Sequence, residues 1–289
     1  MGFTKHRYSA HDGLSLYYRS YGSGGEVLVC LPGLTRNSKD FHEIAEHLAS
    51  SYRLLCPDLR GRGRSDRDPE WLNYRPATYV RDVWTLVDTL GIASFILVGT
   101  SLGGLLSMIM ASQHPERVRA VILNDVGPEA DPSGYARILA SFDQRIDVRN
   151  WREATRECMR SYRSALPDMP EEFWQAYVYK NYREGADGRP EPDSDPNIIE
   201  AIREADQSRI AGVHVDPWAA FEAMTMPCLV LRGELSDILS AGIVERMKSV
   251  KPDLKTAVIP NRGHAPLLYE RASITAIDTF LEQLTTDAA

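Results

Sequence analysis

Six short apolar runs recur along the chain: EVLVCL (26–31), RLLCP (53–57), SFILVG (94–99), RAVILND (119–125), PCLVLRG (227–233) and KTAVIP (255–260). Longer amphipathic stretches separate most of them. An apolar run without alternation predicts a strand buried on both faces, and strand alternating with helix predicts a parallel sheet covered by helices on both sides. Ahead of these runs, HRYSA and LSLYYRSYG alternate around Asp12-Gly13 and read as an antiparallel hairpin. The expected fold class is therefore α/β, with a mostly parallel twisted sheet. With 289 residues, 43% hydrophobic and 25% charged, the chain has enough apolar side chains to fill such a core, which excludes disordered and disulfide-framework classes.

One interval breaks the rhythm. About a hundred residues between Asp125 and Pro227 contain no strand-like run, and their first part reads as helices over NWREATRECMRSYRSAL and PEEFWQAYVYKNYREG. In the second of these, Trp174, Tyr177, Val178 and Tyr182 fall at i, i+3, i+4 and i+8 and are expected to share one face. GADGRPEPDSDPN then reads as a loop. The expected organisation is a core at 1–129 and 218–289 interrupted by a helical cap at 130–217.

Charge narrows the partners. There are 33 Lys and Arg against 40 Asp and Glu, a net charge of −7, so the summed field repels phosphate backbones and anionic lipids. Nucleic acid and membrane are not expected partners. No stretch approaches the roughly 20 apolar residues that span a bilayer, and the first residues have no apolar signal core, which predicts a cytoplasmic protein. Cys30, Cys56, Cys158 and Cys228 form no CxxC pair, so neither a disulfide nor a metal site is expected. His42-Glu43-Ile44-Ala45-Glu46-His47 misses the HExxH spacing, and the arginines at 60, 62 and 64 lack a phosphate-loop motif; their expected role is to brace a loop through nearby carboxylates.

After the third long run comes Gly99-Thr100-Ser101-Leu102-Gly103-Gly104 and then a segment of helical composition. Strand, GxSxG and helix in that order predict a sharp turn that presents Ser101 at the carboxyl edge of the sheet, with glycines leaving room for it. Serine needs a base and an orienting acid. Of seven histidines, only His264 follows the last strand and precedes the last helix, which puts it at the same edge. For the acid, Asp237 follows the penultimate strand and gives the chain order Ser, Asp, His; Glu234 and Asp125 are its rivals. An oxyanion needs prearranged N–H donors, expected from Leu102 and from Leu34 in the loop Leu31-Pro32-Gly33-Leu34.

These motifs together, LPGL, PDLRGRGRSD, GTSLGG, LRGELSDIL and GRGHAP, resemble the α/β-hydrolase superfamily over nearly the whole chain, with Pro32 where the family usually has histidine. The resemblance implies the α/β-hydrolase fold with an inserted cap, a cofactor-independent serine hydrolase using Ser101, Asp237 and His264, and Leu34 and Leu102 as oxyanion donors. A serine at the elbow argues against the relatives that use aspartate there. The expected activity is carboxylic ester hydrolysis on a small molecule. Enol-lactonase, C–C bond hydrolase on a vinylogous diketone, and a receptor retaining the triad are the alternatives, and a homodimer is left open. Trp174, Tyr177 and Tyr182 are the expected pocket wall. Because no cationic cluster in the insertion is plainly aimed inward, although Arg156, Arg160 and Arg163 share one helix side, neutral esters are expected over dicarboxylic lactones and diketones.

Overall fold

The computed structural model describes residues 2–143, 147–208 and 216–286. The core elements are β1 (Thr4–Ser9), β2 (Ser15–Tyr21), β3 (Val27–Leu31), α1 (His42–Leu48), β4 (Arg53–Asp58), α2 (Pro76–Thr89), β5 (Phe95–Thr100), α3 (Leu102–Gln113) and β6 (Val118–Asn124). Between the sixth strand and the next core strand come α4 (Pro132–Asp143), α5 (Trp151–Tyr162), α6 (Glu171–Asn181), β7 (Tyr182–Glu184), β8 (Pro190–Pro192), α7 (Asn197–Ser208) and α8 (Pro217–Glu222). The chain then closes with β9 (Cys228–Gly233), α9 (Ala241–Val250), β10 (Lys255–Ile259) and α10 (Arg271–Thr286).

Eight strands form one sheet in the order β1-β2-β4-β3-β5-β6-β9-β10. β1 pairs antiparallel with β2 and β2 with β4, as the opening hairpin requires, and the other pairings are parallel. The apolar runs bury both faces because successive side chains point to opposite sides. Val29, Leu31, Leu55, Leu97, Val121 and Val230 join one core with the apolar faces of α2, α3 and α9. Leu28, Cys30, Leu54, Ile96, Ile122 and Leu231 join the other with α1 and α10. KTAVI is the exception: β10 is the edge strand, only Ile259 is buried in it, and Val258 is 56% exposed.

The register aligns the carboxyl ends. Leu31 sits opposite Gly99, Thr100 opposite Asn124, Asn124 opposite Leu231, and Gly233 opposite Ile259. The loops leaving β3, β5, β6, β9 and β10 therefore emerge along one edge, where an open parallel sheet binds ligands.

The insertion is helical as expected, but not wholly so. Helix α6 ends at Asn181, where Tyr182 turns extended (φ −123°, ψ 154°) and begins an antiparallel ribbon of β7 with β8. The ribbon uses the stretch expected to be loop, Pro190–Pro192, and Tyr182 consequently leaves the helix face it was assigned.

Candidate active site

Ser101 lies between the last residue of β5 and the first of α3, with φ 53° and ψ −118°. An L-residue held there costs about 1–3 kcal/mol, which surrounding packing must offset. Two glycines make the turn feasible. A Cβ at Gly103 would run into the Leu31 carbonyl oxygen, and one at Gly99 into the carbonyl of Gly103. The Ser101 amide donates to Asn124 O at 3.2 Å, tying the elbow to the end of β6.

His264 reaches this serine from the loop after β10. Its Nε2 accepts from Ser101 Oγ at 2.9 Å, and its Nδ1–H donates to Asp125 Oδ2 at 2.8 Å; an acceptor-only carboxylate at Nδ1 sets this tautomer. Asp125 is fully buried and the His264 side chain is 10% exposed. Asp125 also accepts from Gly233 N at 2.8 Å and from Ser236 Oγ at 2.6 Å, the latter on the oxygen that holds the imidazole. Asn124, fully buried, donates through Nδ2 to Thr100 Oγ1 (3.0 Å) and to Pro266 O (2.9 Å), so it joins the elbow strand to the histidine loop.

The acid expected at Asp237 is therefore corrected to Asp125. Asp237 makes no hydrogen bond to the imidazole among those of the described residues and pairs with Arg137 of α4 through two hydrogen bonds, and Arg137 holds its carboxyl below the usual aspartate range. The reason is strand adjacency. β6 lies beside β5, whereas β9 lies one strand further out. Asp125 leaves β6 with φ 55°, a turn that keeps its side chain at the sheet edge. Glu234, the other rival, accepts from Asn261 N at 2.9 Å and closes its loop.

The expected oxyanion loop does stand against the serine: a Cβ on Gly33 would lie 3.7 Å from Ser101 Cβ. Gly33 O accepts from Arg36 N at 3.1 Å, and Leu34 O accepts from Arg62 Nε at 2.6 Å. Fixing the carbonyls on either side of Leu34 fixes the direction of its N–H. Leu102 opens α3, and a first-turn N–H has no acceptor within its own helix.

Above these groups lies a cavity of about 770 Å³, walled by the insertion as well as the core. Tyr177 and Tyr182 line it. Trp174 does not: it is fully buried and packs with Leu166 and Tyr177 inside the insertion, so it belongs to a local core. Cys158 faces the cavity, but burial pushes its thiol up to about 12, which leaves it protonated and unreactive. Among the described residues, the Lys and Arg side chains at the wall are Arg36, Arg67, Arg137 and Lys180. Arg156, Arg160 and Arg163 are absent from the wall, and Arg160 pairs with Glu157. Arg36 forms two bonds to Asp40 (2.8 and 2.6 Å) and lies over the rings of Tyr162 and Tyr177.

Residues 26–270 match the family model described as the alpha/beta hydrolase fold. The chain belongs to this family. It is 34% identical over 272 residues to the 3-hydroxybutyrate-oligomer hydrolase of Cupriavidus necator, covering 91% of each chain. It is 27% identical to the 2-(acetamidomethylene)succinate hydrolase of Mesorhizobium japonicum, covering 87% of this chain and 85% of that one. Among solved structures, an alpha/beta hydrolase from Novosphingobium aromaticivorans superposes with a TM-score of 0.89 at 39% identity, covering 97% of this chain and 98% of that one. Like these relatives, this alpha/beta hydrolase is a hydrolase by descent. Three further site residues are not among those expected: Asn124 carries no motif signal, while Arg62 and Ser236 lie inside PDLRGRGRSD and LRGELSDIL, whose spacing does not point to these two positions. Ser236 has a local cue in its place in the loop after β9, beside the expected acid Asp237.

Proposed function

We propose that this alpha/beta hydrolase is a serine carboxylic ester hydrolase. The observation that carries the proposal is the continuous hydrogen-bonded chain from Ser101 Oγ and His264, which line the cavity, to the buried Asp125 behind them. Ser101 Oγ attacks the ester carbonyl while His264 Nε2 takes its proton, and Asp125 stabilises the imidazolium. The oxyanion accepts from the Leu34 and Leu102 amides. Collapse breaks the ester C–O bond, His264 returns the proton to the departing alkoxide, and a water activated by the same histidine hydrolyses the acyl-serine.

The wall favours a short acyl chain with polar groups. Tyr162, Tyr177 and Tyr182 offer apolar rings with hydroxyl tips, and the 34% identical relative is named for oligomers of a short hydroxy acid. Oligoesters of short 3-hydroxy acids are therefore the proposed substrate class. A second reading, hydrolysis of an anionic lactone or a C–C bond, draws on the relative named for a substituted succinate and on the cations at the wall. A side-by-side panel of hydroxyacyl esters, neutral p-nitrophenyl esters, enol-lactones and ring-fission diketones tests the proposal. Highest kcat/KM on the esters supports it, highest on the diketone or lactone overturns it, and binding without turnover of any of them indicates a receptor.

A further inference from the structure

A second, wider groove of about 1160 Å³ runs beside the catalytic cavity, between β1, β2, the loop after β4 and the β7–β8 ribbon. The two share Arg67 and Tyr182 as lining residues, so they meet at that seam. Seven of the groove's lining residues are Lys or Arg and four are Asp or Glu, on a chain whose net charge is −7. The acids are largely spoken for. Asp58 is buried and accepts from the Ser38 and Arg64 amides, Asp66 pairs with Arg7, and Asp193 pairs with Lys39, which leaves Glu184 as the opposing charge. Arg183 pairs with Glu191. Among the described residues, Lys5, Arg19, Arg64 and Arg67 form no ion pair. At the cavity wall the contrast is sharper: Arg36, Arg137 and Lys180 are matched by Asp40, Asp237 and Glu43, while Arg67 has no carboxylate among the described residues.

We infer that Arg67, with the basic groove behind it, binds the free carboxylate of the ester substrate. The inference rests on the ester reading above and names the end of the substrate that the groove takes. In a linear oligoester of a hydroxy acid, every linkage is neutral except the single free carboxylate, and that carboxylate always lies on the alcohol side of any ester bond. An acyl group over Ser101 therefore sends the anionic leaving part outward, towards the seam. A planar guanidinium with no ion-pair partner among the described residues suits a carboxylate there, and a local positive groove on an acidic molecule concentrates such an anion at the cavity mouth.

The test uses the full chain and two probes with the same scissile bond, the linear 3-hydroxybutyrate dimer and its methyl ester. The free acid should have at least a tenfold higher kcat/KM, expressed mainly in KM, and the preference should fall as salt is raised to about 0.5 M, where screening is short-ranged. Arg67→Gln should reduce the acid-to-methyl-ester ratio about tenfold, with Arg67→Lys intermediate. Equal rates on the two probes, or an unaltered ratio in Arg67→Gln, overturn the inference. A binding measurement separates it from the ester reading: Ser101→Ala should bind the free acid about tenfold more tightly than Ser101→Ala with Arg67→Gln. Arg67-dependent binding without turnover by the wild type sinks the ester reading alone, and binding indifferent to Arg67, or none, sinks the carboxylate site.

Discussion

Asp125 is held by three donors from two segments: the His264 ring, and the Gly233 amide and Ser236 hydroxyl at the end of β9 and in the loop after it. An oxygen that receives two of them is fixed in direction, and the imidazole it orients is fixed in turn. Replacing Asp125 by Asn should therefore cost on the order of 10⁴ in kcat, the loss seen when the orienting charge is removed from the best-studied triad. Asp237→Asn removes only a cap contact and should keep kcat within about threefold; stopped-flow or steady-state rates on one p-nitrophenyl ester decide between them. A second buried centre makes a stability prediction. Arg60 is fully buried and binds Asp12, Asp68 and Asp82, two of them also buried, which realises the loop brace expected from the arginine-rich motif. Arg60→Met strands those carboxylates and should destabilise the fold by about 3–5 kcal/mol, read from urea unfolding.

At the scale of elements, the elbow depends on α3 lying close against β3 and β5. Gly103→Ala forces a Cβ against the rigid Leu31 backbone and should cost about 1–3 kcal/mol or more, together with a loss of Ser101 reactivity that Ser107→Ala, further along α3, does not share. Helix α4 is tied to the loop after β9 by Arg137 and Asp237, both more than a third exposed, so this pair is worth about 0.5 kcal/mol after screening. Because Arg137 holds the Asp237 carboxyl below its ordinary value, the contribution is present above the usual aspartate range and lost as pH falls through the lowered value. The difference in unfolding free energy between wild type and Asp237→Asn should accordingly shrink from pH 7 towards pH 3, and also with added salt; a difference that grows towards acid contradicts the pairing.

Across the whole molecule, what the sequence made legible was local. Ser101 and His264 sit in short motifs whose neighbours, Gly99, Gly103 and the strand before each, determine their placement within a few residues. Asp125 was legible only as a rival, because the choice between two acidic loops depends on which strand neighbours β5, and strand order is not written in any single segment. Trp174 as a wall residue, and Tyr182 as part of the helix, fail for a related reason. A helical period places side chains on a face, but the insertion's own packing decides what that face meets, and the helix stops one residue before Tyr182. The cations at the cavity form no sequence cluster because they come from separated segments: Arg36 and Arg67 from core loops, Arg137 and Lys180 from insertion helices. The insertion is tied to the core at well-separated points, by Lys180 to Glu43, Lys39 to Asp193 and Arg262 to Asp168. These ties hold the insertion over the cavity above Ser101, and the seam at Arg67 leaves a route outward. All of this rests on Ser101 being the nucleophile. Incubating the protein with a serine-directed fluorophosphonate and mapping the adduct by peptide mass spectrometry is the most direct measurement: a single adduct on Ser101, absent from Ser101→Ala and strongly slowed in Asp125→Asn, is the predicted result, and an adduct on another residue, or none, contradicts it.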